Sequence, residues 1–136
     1  MRRVLFALIV ALIVPSSAMA SSVQVRHSAY GPVLFSGNGR ALYLFTSDRT
    51  RRSTCYGGCA RAWPPFYAHG RLAARGGARR GLLGTTRRRN GRRQVTYSGH
   101  PLYFYVGDPV GQIRCQDVVE FGGRWLVVSP NGRAVR

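Results

Sequence analysis

The sequence predicts a mainly β fold: a single small domain of two duplicated hairpin or meander repeats, related by a pseudo-twofold axis, with a partial third hairpin. Three observations carry that expectation. Gly39-Arg-Ala-Leu-Tyr-Leu-Phe-Thr-Ser-Asp48 is written again sixty residues later as Gly99-His-Pro-Leu-Tyr-Phe-Tyr-Val-Gly-Asp108, so both copies share Gly-x-x-Leu-Tyr-x-(Phe/Tyr)-x-x-Asp. Each copy follows a β-branched or aromatic run and a glycine turn, the grammar of a hairpin. The tail Ser129-Pro-Asn-Gly-Arg-Ala-Val135 aligns without a gap on Ser36-Gly-Asn-Gly-Arg-Ala-Leu42, and self-similarity at this scale points to duplication.

In chain order, residues 1–20 have the three parts of a secretory signal: Arg2 and Arg3, the apolar run from Val4 to Val14, and the small-x-small end Ala18-Met19-Ala20. Eleven apolar residues are too few to span a hydrocarbon core of about 30 Å. The expected mature chain, 21–136, is therefore exported with cleavage after Ala20. No second apolar stretch of spanning length follows, and no transmembrane segment is expected. Val23 to His27 alternates as an entering strand, and Gly31-Pro32 turns it. Asn38-Gly39 between Val33-Leu-Phe35 and Ala41–Phe45 predicts a hairpin across 33–45. On a strand Tyr43 and Phe45 share one face while Leu42 and Leu44 share the other; Tyr103 and Tyr105 likewise oppose Leu102 and Phe104. Apolar residues on both faces predict central, doubly covered strands. Each buried aromatic is then worth roughly 2–3 kcal/mol on transfer. The four aromatics are expected to fill two equivalent cores, and Asp48 and Asp108 to close two equivalent turns.

The first repeat occupies about 30–67 and the second about 94–132. Between them, 68–93 is dominated by Ala, Gly and Arg, with Leu82-Leu83 as its apolar anchor. That composition predicts a mobile connection, with a helical turn near 71–75 and a further turn at Asn90-Gly91. Arg87, Arg88, Arg89, Arg92 and Arg93 on it are the candidates for contacting anionic surfaces.

Charge is one-sided. All 21 basic residues are arginine, against Asp48, Asp108, Asp117 and Glu120, a formal net charge of +17. Such a chain attracts polyanions, and the expected partners are anionic envelope polymers or lipid headgroups. Basic runs without interleaved aromatics argue against specific nucleic-acid readout.

Three cysteines in an exported chain leave one odd thiol. Two glycines inside Cys55-Tyr-Gly-Gly-Cys59 favour a local Cys55–Cys59 disulfide; the rival pairs Cys115 with a first-repeat cysteine. The three-residue spacer fits neither a haem-attachment nor a redox Cys-x-x-Cys motif, and no regular zinc-ligand spacing accompanies His27, His69 or His100. No metal or cofactor is expected. The sequence contains no Gly-x-Ser-x-Gly, His-Glu-x-x-His or phosphate-cradling loop. The leading expectation is accordingly a non-enzymatic exported binding or structural module. Its rivals are a thiol-redox or metal-handling module on Cys55 and Cys59, and a hydrolase with Asp48 and Asp108 as paired carboxylates.

The doubled motif, Cys55-x-x-x-Cys59, Trp63-Pro-Pro65 and Phe121-Gly-Gly-Arg-Trp125 together resemble the secreted-repeat and lipoprotein family described by a Tyr-x-(Phe/Trp/Tyr)-x-x-Asp motif. The similarity runs from about Tyr30 to Gly132. It implies an exported bacterial protein, often lipid-anchored, with no established catalytic residues to carry over. This chain departs from it by lacking a lipidation cysteine after the leader, and Cys115 has no partner in its own repeat.

Overall fold

A computed structural model describes residues 20–136; apart from Ala20, the predicted signal sequence lies outside the described residues. The strands are β1 (Ser22–Ser28), β2 (Gly31–Ser36), β3 (Tyr43–Phe45), β4 (Ala73–Arg75), β5 (Leu83–Arg87), β6 (Arg93–Tyr97), β7 (His100–Pro101), β8 (Val118–Glu120) and β9 (Gly123–Val127). One five-residue helix, α1 (Gly58–Ala62), and one 3-10 turn, Arg80–Leu82, interrupt them. The strands form three small sheets in the orders β2-β1-β4, β3-β9-β8 and β5-β6-β7, joined by isolated bridges. The mainly β, single-domain expectation holds.

The pseudo-twofold is written in backbone hydrogen bonds. Leu42 N–H donates to Leu34 O at 3.1 Å, and Leu102 N–H donates to Val95 O at 3.0 Å. Leu34 N–H donates to Val128 O, and Val95 N–H to Phe66 O. The axis passes between Tyr43 and Tyr103, which exchange both backbone bonds with each other, at 2.9 and 3.0 Å. The same bonds show that the repeats are intertwined. The tryptophan-bearing strand of the second repeat, β9, pairs with β3 of the first (Tyr43 with Val127, Phe45 with Trp125). The segment after Trp63 crosses the other way, bridging Pro65 to Tyr103 and Tyr67 to Gln94.

This exchange corrects the hairpin expected across 33–45. The turn itself forms, with Ser36 N–H bonded to Arg40 O and Phe35 bridged to Ala41, but beyond Leu42 the chain leaves β2 for β9 and Tyr103. Leaving lets Tyr43 reach Trp63 and Phe45 reach Trp125, the rings they pack against. The tail repeats the turn: Ser129 N–H bonds Arg133 O and Val128 bridges Ala134. Gly39, Gly99 and Gly132 sit at corresponding turn positions with φ of 83°, 79° and 85°. A side chain there would be strained, and at Gly132 a Cβ would also stand 2.3 Å from that of Ser98.

Alternation along β3 divides the core as the sequence indicates. One face carries Tyr43, Phe45, Trp63, Tyr103, Trp125 and Val127; the other carries Leu42, Leu44, Leu102, Leu126, Val128 and Tyr97. The aromatics of the two repeats do not fill two equivalent cores, however. They share one, because the antiparallel pairing of Tyr43 with Tyr103 puts both side chains on the same side of the sheet. Its centre is a stack in which Trp125 lies 4.1 Å from Phe45 on one side and 4.1 Å from Trp63 on the other, with Tyr43 and Tyr103 edge-on. Glu120 caps it: its carboxylate accepts from Trp63 Nε1 at 2.9 Å and its carbonyl from Trp125 Nε1 at 3.2 Å.

Residues 68–93 are ordered structure rather than a mobile connection, and 71–75 holds no helical turn. β4 pairs in parallel with β1 (Val23 with Ala74), and β5 forms a five-residue antiparallel ladder with β6 (Leu83 with Tyr97, Arg87 with Arg93). Leu72, Ala78, Leu82 and Leu83 all pack on the aliphatic core, so the apolar anchoring is broader than Leu82-Leu83.

Candidate functional site

The doubled motif builds a reciprocal cross. Each tyrosine hydroxyl reaches past its own repeat to the aspartate of the other: Tyr43 donates to Asp108 Oδ2 at 2.6 Å, and Tyr103 donates to Asp48 Oδ2 at 2.7 Å. The second carboxylate oxygen of each accepts the backbone N–H six residues on, Thr54 at 2.8 Å and Arg114 at 3.0 Å. Thr54 Oγ1 adds a further bond to Asp48. Asp48 and Asp108 thus close loops, and each is hydrogen-bonded to the tyrosine of the opposite repeat. Burial raises both phenols far above their ordinary value, and the neighbouring carboxylates push them the same way. Asp48 is raised by burial, against the opposing pull of the Thr54 N–H, Tyr103 and Arg88.

The two halves differ around this cross. In the first, Ser53 Oγ lies 2.6 Å from the Tyr103 hydroxyl. Tyr103 spends its proton on Asp48, so Ser53 is the donor. Ser53 in turn accepts Arg88 Nη1 at 2.7 Å. A buried guanidinium and a carboxylate are joined through two hydroxyls: Arg88 to Ser53, Ser53 to Tyr103, Tyr103 to Asp48. Arg88 is only 5% exposed, and it also donates to Gln94 Oε1 at 2.9 Å and to the Cys55 carbonyl. Arg88 is therefore not a surface contact. It follows the β5 ladder and points inward, while its neighbours Arg87, Arg89, Arg92 and Arg93 are exposed.

Cys55 and Cys59 form the disulfide, with Cα atoms 5.3 Å apart. The bond and the φ of 57° at Gly57 set the entry to α1, whose last residues lead into Trp63. Both sulfurs belong to residues buried against the aromatic core. Cys115 is unpaired and half-buried. It stands where Cys55 stands in the first half, directly after the residue whose N–H bonds the aspartate, but the β8–β9 hairpin replaces α1 and supplies no second thiol. Burial pushes the Cys115 thiol up, away from the reactive thiolate. Replacing Cys55 and Cys59 together by Ala is expected to lower stability by about 2 kcal/mol, the loop-closure contribution of so short a ring; urea unfolding of oxidised and variant protein measures it.

Among the described residues no three His, Cys, Asp or Glu side chains gather as a metal site. His69 is exposed, and His100 lies half-buried in β7, where burial lowers its imidazole and Asp48 opposes the shift.

Arginine and aromatic side chains meet repeatedly at the surface. Arg92 sits 3.5 Å over the Tyr67 ring, Arg89 4.2 Å over Tyr56 and Arg40 4.5 Å over Phe104. The one salt bridge among the described residues joins Arg124 to Asp117 at 2.7 Å. The arginine run in the sequence indicated the charge but not the pairing with aromatics, since Tyr56, Tyr67 and Phe104 lie far from their guanidiniums along the chain. A cavity of about 410 Å³ beside Tyr67 and Phe104 was also not indicated: its walls come from residues 20–22, 36–38, 65–67, 69, 75 and 104, and no local motif unites them.

A family model described as a secreted repeat of unknown function matches residues 24–67 and again 84–129. The second match begins inside β5, consistent with the β5–β6 ladder standing where β1–β2 stands in the first. No curated protein and no solved structure matches the chain.

Proposed function

The chain belongs to the family of secreted repeats of unknown function, and from that premise we propose that it is an exported, non-catalytic binding module that holds an anionic polymer of the cell envelope on its arginine surface. The observation that carries this reading is charge left without partners. From Ser21 onward there are 19 arginines against 4 acids. Asp48, Asp108 and Glu120 spend oxygens on Tyr103, Tyr43 and Trp63, and Asp117 takes Arg124. The repeated motif supports the same reading from the other side, since its hydroxyls and carboxylates satisfy one another inside the fold.

Export begins, on this reading, with cleavage after Ala20. Ser21 would then be the first residue, and it is already fixed, its N–H bonded to His69 O and its carbonyl to Ala73 N–H.

Retention on immobilised polygalacturonate is expected to be strong at 50 mM salt and to fall by at least about tenfold at 500 mM, where the screening length shrinks to a few ångström. Retention that does not change with salt overturns the electrostatic reading.

A further inference from the structure

The 410 Å³ cavity is a cleft whose composition is uneven in a specific way. Phe66, Tyr67 and Phe104 line it, the rings of Phe66 and Phe104 being 5.1 Å apart. Arg75 and His69 stand on its wall. Two more guanidiniums are stacked on its rings, Arg92 on Tyr67 and Arg40 on Phe104, and Arg40 is further held by its bond to the Tyr105 carbonyl at 2.9 Å. None of the four acidic residues lines the cleft.

We propose that this cleft binds one acidic sugar residue of a polyanionic glycan. The inference rests on the polyanion reading above and gives it a site and a ligand class. A sugar ring has an apolar C–H face, which an aromatic surface accepts, and a uronic carboxylate takes the planar fork of a guanidinium, as from Arg75 or Arg92, in two parallel hydrogen bonds. Asn38 and the backbone around it present neutral polar groups for ring hydroxyls. An anionic lipid fits less well. Its acyl chains need an apolar apron beside the headgroup site, and the exposed large apolar residues Tyr30, Val106, Val110, Val119 and Phe121 line no part of this cleft.

The test compares two double variants that each remove two exposed guanidiniums, so that the overall field falls equally. Arg75→Gln with Arg92→Gln alters the cleft; Arg61→Gln with Arg114→Gln, at exposed positions that line no part of it, is the control. Hexagalacturonate binding, followed by calorimetry and by amide shifts of residues 66–69, is expected to weaken at least about tenfold in the cleft variant and less than about threefold in the control variant. Maltohexaose, neutral and of equal length, is expected to bind far more weakly than hexagalacturonate. Equal losses in the two variants overturn the cleft and leave the polyanion reading standing. Binding to phosphatidylglycerol vesicles without binding to hexagalacturonate overturns the sugar assignment. Failure to bind either probe brings down both readings.

Discussion

Replacing Arg88 by Leu is expected to lower the unfolding free energy by about 3–5 kcal/mol, the cost of removing one partner from a buried charge network. Leucine fills part of the volume but supplies none of the donors. Ser53 Oγ, Gln94 Oε1 and the Cys55 carbonyl each lose the guanidinium. Gln94 is fully buried, so its oxygen has no water to turn to, and an unmet buried acceptor costs about 1–3 kcal/mol. Asp48 keeps the Thr54 and Tyr103 hydrogen bonds that chiefly oppose its burial but loses the lesser pull of the Arg88 charge, so its carboxyl moves slightly further up. Lysine in the same place is expected to recover only part of the loss, because a single ammonium cannot reproduce a planar fork that spans three acceptors. The same change at Arg87 or Arg93, both exposed on the paired strands, is expected to cost no more than about 0.5 kcal/mol. Urea unfolding of the three leucine variants measures the contrast. A loss at Arg88 no larger than at Arg87 means that the network contributes nothing beyond a solvated charge.

Arg88 also marks where the sequence stops being legible. It lies within Arg87-Arg-Arg89, and a run of like charges has no internal signal that one member turns inward. What turns it is the β5–β6 pairing, which ends the ladder at Arg87 and Arg93 and leaves Arg88 N–H bonded to Arg92 O across the turn. The acceptors that receive it come from Ser53 and Cys55, over thirty residues away. The alternation of Leu42-Tyr43-Leu44-Phe45, by contrast, is local. Period-two patterning states which side chains share a face, and the two cores follow it residue by residue. The same patterning says nothing about which strand lies alongside. Two copies of one motif are degenerate in this respect: Tyr43 could bond the aspartate of either repeat, and only the antiparallel exchange at Tyr43 and Tyr103 decides for Asp108. The ordering of 68–93 was hidden for a related reason. Its few apolar residues are individually weak signals, and β4 is held by a parallel partner, β1, some fifty residues earlier.

The reciprocal tyrosine–aspartate cross has a thermodynamic consequence at high pH. Above about pH 10 stability is expected to fall by about 1.4 kcal/mol per pH unit for each of Tyr43 and Tyr103. The sign follows from the direction of the shifts. Both phenols are raised above their ordinary value in the folded chain by burial and the facing carboxylates. Above pH 10 the unfolded chain therefore releases two protons that the folded chain keeps, and each further unit favours unfolding. By pH 12 the two together amount to about 5 kcal/mol, comparable with the whole stability of a domain this size. The composition removes lysine from this window, since every basic residue is arginine, which stays charged there; Cys115, raised by burial, and Tyr105, raised by its contact with Cys115, add a smaller contribution of the same sign. The measurement is urea unfolding at a series of pH values from 8 to 12, alongside phenolate absorbance. Wild type is expected to show two tyrosines that ionise only as the chain unfolds. Tyr43→Phe and Tyr103→Phe each should remove about 1.4 kcal/mol per pH unit of the alkaline slope while lowering stability at pH 7, since each leaves one aspartate oxygen without its hydroxyl donor. An alkaline slope undiminished in the double phenylalanine variant would place the sensitivity outside the cross.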